Sequence, residues 1–496
     1  MTSSTASPTT LDVEIPHLDQ IFLAGQWVDS KGSEQMDVVM PSTGEVIATV
    51  PSPTPEDADI AVAAARKAFD EGPWPTMTPD ERATVCRRLA DELESRLDDL
   101  NRAWQFESGY TKAHGEMINS GAGTAIWGHA INTAPGLPWE ETRTNATSKV
   151  LLERRPIGTV LAILTYNGPV PLMGMKVIPG LLAGCPVVIK FAPESQLTSR
   201  LIADAVEAAG FPEGVVSVLT AGLETSRYLV GHPGIDMVHI TGGTSIAIDV
   251  VEQTAKRLAR TALELGGKSP AIILDDANID EVLQTLVPGA TGGLGQVCVA
   301  LSRILIQRDS YDEVVGKLAA AFEAIKVGDP FDPENDLGPL ATKRTMDRTQ
   351  KMLDRALEQG AKIVAGGGRP DGLDRGYYFA PTLLRDVTND MDIAREEVFG
   401  PITVAIPYDD EEDAIRIAND SDFGLAGSVY SADFDKALAV ARRIHSGGVA
   451  INSAGISLTE PFGGVKQSGW GRECGAEGIL EFTEIKQILL SGSYSD

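Results

Sequence analysis

The sequence predicts an α/β protein built around parallel sheets. Three observations carry that expectation. The 496-residue chain is 43% hydrophobic and 23% charged, an ordinary globular composition long enough for two or three domains. From about residue 150, short β-rich runs alternate with amphipathic helices, the pattern of βαβ units. The helices open and close on residues that cap them.

Residues 1–20, opening "MTSSTASPTT", read as a loose polar tail. A helix follows Thr54, with Pro55 in its first turn and Glu56 and Asp57 at its positive end. The same device recurs at Thr78 to Asp80. One helix is expected from there to about Leu100, with Val85, Cys86, Leu89, Leu93, Leu97 and Leu100 on its apolar face. Cys86 therefore has a packing reason.

"KVLLERRPIGTVLAIL" reads as two strands meeting at Pro156-Ile157-Gly158. The apolar run from Pro171 to Ile189 carries a lysine and three prolines, so it reads as a helix and a buried strand, not a membrane span. Cys185 sits where a turn enters that strand. The strands "CPVVIK", "GVVSVLT" and "DMVHIT" then alternate with helices, the first of them stopped by Gly210. A second alternation begins near Gly266, with strands "SPAIILD" and "RILIQ". Ser310 and Glu313 have capping-box spacing at the start of the next helix, and Gly360 stops the one after it. "PITVAIPY", "GSVYS" and "GGVAIN" are later strands.

A net charge of −28 argues against nucleic acid and against anionic membrane surfaces as partners. Four cysteines, at 86, 185, 298 and 474, are too few and scattered for a disulfide framework. No Cys or His pair has metal-site spacing, so no metal is expected. The start has neither the charged and apolar regions of a secretory signal nor the arginines of a transit peptide, so a cytoplasmic enzyme is expected.

Several residues stand where chemistry could occur. In "HITGGTSIAID" a strand ends at Gly242-Gly243 and a helix begins; the turn either receives a pyrophosphate or simply joins the two elements. Lys190 ends a strand, where a lysine either meets a ligand or is solvated. Asn167, in "LTYNGPV", is an amide donor suited to an oxyanion, or a turn residue. Glu264, in "LELGGKSP", is flanked by leucines; apolar surroundings would raise its pKa, as a general base needs, unless the strand is exposed. Cys298, in "GGLGQVCVALSR", is either core filler or a nucleophile.

From about residue 20 onward the chain resembles the aldehyde dehydrogenase superfamily, in its hydrolytic, NAD(P)-dependent branch. The resemblance rests on "LELGGKSP", "GQVC", "EEVFGP", "ITGGTS" and "PFGGVKQSGWGRECG", in that family's spacing, with Glu264 and Cys298 34 positions apart. It implies a Rossmann-like cofactor domain (21–132 and 156–265), an α/β catalytic domain (266–466) and a small β oligomerisation segment (133–155 and 467–496). By carry-over, Cys298 is the nucleophile, activated locally as a thiolate. Asn167 and the Cys298 N–H bind the oxyanion, Glu264 is the base that hydrolyses a thioester, and Lys176 belongs to the catalytic set. Thr165, Lys190, Glu194, Gly222, Gly242, Gly243, Leu265, Glu397 and Phe399 fall to the cofactor, NAD with NADP as the alternative. Pro193 stands where many members have a Glu that disfavours a 2′-phosphate, with Glu194 next, and Ala247 replaces a glycine of the loop.

Gly168 and Gly292 stand where members often carry aromatics, and "SAGISLTE" has none, so a roomy pocket for a bulky aromatic or long-chain aldehyde is expected. The family's habit implies a homodimer or homotetramer. A CoA-acylating semialdehyde dehydrogenase usually lacks the Glu found at 264. A non-catalytic protein of the same fold would have lost Cys298, Asn167 or Glu264; all three are present.

Overall fold

Two mostly parallel sheets form the body of the protein in a computed structural model that describes residues 10–490. The first has eight strands in the order Gln26–Val28, Ile21–Leu23, Val216–Thr220, Val187–Phe191, Val160–Ile163, Met237–Thr241, Arg260–Glu264 and Gly469–Trp470. Its five central strands are parallel and its flanking strands antiparallel. The second sheet has seven strands, Lys362–Ala365, Thr382–Arg385, Ile402–Tyr408, Arg303–Gln307, Pro270–Ile273, Ser428–Tyr430 and Ala450–Ile451. A three-stranded antiparallel sheet joins Thr483–Leu490, Lys149–Pro156 and Glu140–Thr144, the last exposed along its whole length.

Strands covered on both faces have no room for polar alternation. Val187–Phe191 and Val216–Thr220 are buried throughout. Leu161, Val188 and Ile240 face the helices Pro55–Asp70, Leu223–Gly231 and Thr244–Ala255. Val160, Val187 and Met237 face Pro79–Glu94, Ile178–Ala183 and Gln196–Ala209. Among the described residues no helix is long and apolar enough to cross a membrane.

Three local expectations are corrected. Residues 11–20 are not loose: Val13 and Ile15 are buried, Asp12 accepts from Arg102 at 2.8 Å, and His17 stacks on Trp27. Residues 1–9 lie outside the described residues. The helix from Pro79 stops at Glu94 and another runs Leu97–Ser108. Arg96 ends the first by donating to the Glu92 carbonyl at 2.7 Å while it pairs with Asp204 across the packing face at 2.9 Å. Ser310 forms no capping box. A 3₁₀ turn, Arg308–Ser310, precedes the helix and turns the hydroxyl onto the Gln307 carbonyl at 3.2 Å.

The helix Pro55–Asp70 is anchored by a fully buried Asp57, which accepts from Ser30 Oγ, the Lys31 N–H and the Thr54 N–H and hydroxyl at 2.8–3.1 Å. Thr54→Ala removes one cap and should cost about 1 kcal/mol. Asp57→Ala strands four donors and should cost about 2–3 kcal/mol. Urea-unfolding midpoints should fall in that order, wild type above Thr54→Ala above Asp57→Ala.

Candidate active site

Strand order in the first sheet reverses at Val160–Ile163. Successive strands step one way through Val187–Phe191 and Val216–Thr220, then resume on the other side at Met237–Thr241. Ligands of open parallel sheets lie in the crevice beyond the carboxyl ends at such a reversal. Thr165 and Asn167 follow the first of these strands, Gly222 and Gly242-Gly243 follow two others, Lys190 sits near the end of a fourth, and Glu264-Leu265 closes a fifth. The topology therefore gathers these positions along one edge.

The open part of that edge suits a dinucleotide. A Cβ placed on Gly222 or Gly243 would meet no atom within 4 Å, leaving room for a pyrophosphate. The helix Thr244–Ala255 begins at Gly243 without a side-chain cap, so its first amides are available to an anion. Lys190 is buried, and burial pulls its pKa down to about 8, with Glu194 working in the opposite direction. Glu194 itself lies 3.6 Å from Arg344. Leu265 is buried and donates its N–H to the Ser468 carbonyl at 3.1 Å. Glu397 accepts from the Gly267 N–H at 3.1 Å, and Phe399 meets the Tyr166 ring edge-on at 6.3 Å.

Cys298 lies at the seam between the two sheets, half-buried. A Cβ on Gly267 would sit 2.6 Å from the Cys298 carbonyl oxygen, so only glycine lets these backbones pass. On Gly266 it would strike the Glu397 carboxylate at 2.0 Å. The paired glycines of "LELGG" are therefore the gap through which the cysteine loop and Glu397 approach the strand bearing Glu264.

Gln296 holds that loop. Its Oε1 accepts from the Tyr166 hydroxyl at 3.0 Å and the Ala341 N–H at 3.1 Å, and its Nε2 donates to the Gly293 carbonyl at 3.1 Å. Its backbone carbonyl accepts from Asn167 Nδ2 at 3.0 Å, while Thr165 Oγ1 donates to Asn167 Oδ1 at 2.7 Å. Asn167 is thus oriented from both ends, and its amide keeps one N–H for another acceptor.

Lys176 sits in a π-helical turn, Met173–Val177, next to Pro179, whose missing N–H breaks the regular helix ladder. The turn delivers the fully buried Lys176 to buried Glu473, and the two form an ion pair through Glu473 Oε1. His239 Nε2 lies 3.1 Å from the same oxygen, off the line of a well-formed hydrogen bond. Burial opposes ionisation of Glu473, but Lys176 and His239 hold it well below the usual carboxylate range. Both oxygens of Glu264 are buried without a partner; burial first, then the Glu473 charge, push its pKa far up.

The surroundings of the Cys298 thiol run against the expected activation. Burial and the carboxylates of Glu397, Glu264 and Glu473 push the Cys298 thiol up to about 12, and Lys176 offsets only part of this. Cys86 and Cys185 are fully buried in the first core, and Cys474 is buried as well.

Sequence reasoning missed three residues here. Gln296 was legible as a lone polar side chain two positions before the cysteine in an apolar run. Glu473 lies inside a quoted motif but shows its role only through Lys176, 297 positions away. His239, in the middle of an apolar strand, gave no signal of its own.

The chain shares its sequence pattern and fold with known proteins. The model of the aldehyde dehydrogenase family matches residues 27–488. The chain is 39% identical over 473 residues to the geranial dehydrogenase of Castellaniella defragrans, covering 95% of this chain and 98% of that protein. It is 36% identical over 474 residues to the 3-succinoylsemialdehyde-pyridine dehydrogenase of a Pseudomonas species, with 95% and 98% covered. The crystal structure of a Mycobacterium tuberculosis aldehyde dehydrogenase complexed with NAD+ superposes with a TM-score of 0.94 at 40% identity, covering 96% of this chain and 99% of that one. By sequence, fold and the residues gathered at the seam, the chain belongs to the aldehyde dehydrogenase family and is an NAD(P)-dependent aldehyde dehydrogenase.

Proposed function

We propose that the protein oxidises a bulky apolar aldehyde to its carboxylate, with Cys298 as nucleophile, Asn167 as oxyanion donor and Glu264 as hydrolytic base. One observation carries the reading: Asn167 is locked onto the Gln296 carbonyl two residues before Cys298, and the Cys298 carbonyl in turn passes Gly267, three residues after the buried and unpartnered Glu264.

The sulfur of Cys298 adds to the carbonyl carbon while its proton passes to water, since burial raises the pKa of the thiol. Charge develops on the former carbonyl oxygen, where the free N–H of Asn167 and the Cys298 N–H receive it. Losing one such donor typically costs about 3 kcal/mol. When bound, NAD supplies the hydride acceptor; Lys190, the amides after Gly243 and Glu397 would hold it. Cys298 then carries a thioester. Glu264 takes a proton from the water that attacks it, and the acid leaves with the sulfur restored to a thiol.

NAD is favoured by the NAD+ complex of the M. tuberculosis structure. Glu194 beside Lys190 adds a negative charge that disfavours a 2′-phosphate. For the substrate, a Cβ on Gly292 would meet nothing within 4 Å, and one on Gly168 only Pro171 and Ile118 at 3.7–3.9 Å. Val299, Ile456 and Leu458, packed on the adjoining core, are aliphatic. Relatives named for geranial and for a pyridine-bearing semialdehyde point the same way. Self-association would use the exposed edge strand Glu140–Thr144 and its sheet, in a homodimer or homotetramer.

Catalytic efficiency should be at least about tenfold higher on a ten-carbon or benzaldehyde-sized substrate than on acetaldehyde; a strong preference for acetaldehyde would reject the pocket reading. Cys298→Ala should abolish aldehyde-dependent NADH formation while NADH still binds. Glu264→Gln should still give one turnover of NADH, then stall, with steady-state turnover down about 100-fold or more. Because burial raises the pKa of Glu264, wild-type turnover should climb with pH above the ordinary carboxylate range, and Glu264→Gln should lose that limb. Free-enzyme affinity for NAD+ should weaken as pH rises through about 8, where Lys190 loses its charge, and Lys190→Met should flatten the dependence.

A further inference from the structure

His239 lies in mid-strand, fully buried, with Ala162 and Ala262 as its register partners on the two neighbouring strands. The two small side chains leave a slot that the imidazole fills. Phe482 closes the slot at 5.2 Å between ring centroids, and Ile479 belongs to the same core. An apolar side chain would suit those walls, whereas neither nitrogen of the imidazole makes a well-formed hydrogen bond. Such a group needs a reason. The polar atom within its reach is Glu473 Oε1, 3.1 Å from Nε2 and already bound by Lys176. Burial lowers the pKa of His239, so at neutral pH the ring carries a single N–H.

The charged groups around it come from three elements. Glu473 precedes the helix Gly475–Leu480, Lys176 comes from the π turn, Glu264 from the neighbouring strand, and Arg472 acts on Glu264 from the same loop as Glu473. Cys474 and Cys298, both within the field of these carboxylates, stay protonated.

We propose that His239 is a positioning residue for hydrolysis of the acyl-enzyme: a small turn of the ring brings its Nε2–H, 3.1 Å from Glu473 Oε1, onto that oxygen and, with Lys176, holds that carboxylate as the fixed anion beside which Glu264 gains and loses its proton. This rests on Glu264 being the base. The two carboxylates compete for protons. Two donors on Glu473 keep it ionised and send the proton to Glu264; with one donor gone, Glu473 becomes the stronger competitor and Glu264 ionises at lower pH.

The test follows loss of an acyl group, loaded onto Cys298 from a p-nitrophenyl ester, against pH in the full-length enzyme with NAD+ present. His239→Leu should move the midpoint of the rate–pH curve down by about 0.5 unit or more. His239→Gln, whose amide nitrogen reaches the position of Nε2, should keep the wild-type midpoint. An unchanged or raised midpoint in His239→Leu, or a displaced one in His239→Gln, overturns the proposal. If His239→Leu does not fold, His239→Asn, which reaches only the position of Nδ1, replaces it with the same expectation. Glu264→Gln run alongside separates the two readings. Acyl loss as fast as wild type sinks the base assignment itself. A persistent acyl group, together with a wild-type midpoint in the His239 variants, sinks only the role of His239.

Discussion

The passage of the Cys298 carbonyl against Gly267 is the contact on which the site depends. It joins the cysteine loop, next to the second sheet, to the strand end that carries Glu264 in the first, at a separation no side chain would permit. Glu397 enters through the adjacent gap over Gly266 and hydrogen-bonds the Gly267 amide. Gln296 fixes the loop from the other side and, through its carbonyl, fixes Asn167 as well. Two glycines and one glutamine thus set the relative places of a sulfur, an amide donor and two carboxylates.

Burial supplies the electrostatics. Lys176, His239, Glu264 and Glu473 are all withdrawn from solvent, so each proton affects its neighbours strongly. Lys176 and His239 favour the anion at Glu473, and that anion in turn favours the proton on Glu264. Burial first, and then the Glu397 carboxylate, keep the Cys298 thiol protonated. On the proposed mechanism, the arrangement would favour hydrolysis of an acyl-sulfur bond over storage of a free thiolate, which in a half-buried site would also be exposed to oxidation.

Much of the fold was legible because its signals are local. Thr54 and Thr78 head helices with full capping boxes, and the apolar runs became the parallel strands of two sheets. The failures were local rules overruled by distant partners. Arg96 divides a long apolar stripe because Asp204, 108 positions away, draws its guanidinium across. Ser310 gives up its cap to a tighter turn. At the site, composition and spacing alone left Cys298 undecided, and the family resemblance turned it into a candidate nucleophile. Its neighbours Glu473 and His239 could not be read beforehand, since each acquires meaning only from a residue hundreds of positions away. The setting of the thiol was hidden for the same reason: it is set by burial and by carboxylates that come from separate parts of the chain.

The central claim is that the acyl group passes through the sulfur of Cys298. Its most direct test is peptide-mapping mass spectrometry on wild-type enzyme turning over an aldehyde with NAD+ on the slow, acid side of its rate–pH curve and then quenched in acid. The account predicts the mass of the acyl group on the peptide containing Cys298 and on no other cysteine. An unmodified Cys298 during slow hydrolysis-limited turnover, or an acyl group on Cys474 in its place, would contradict it.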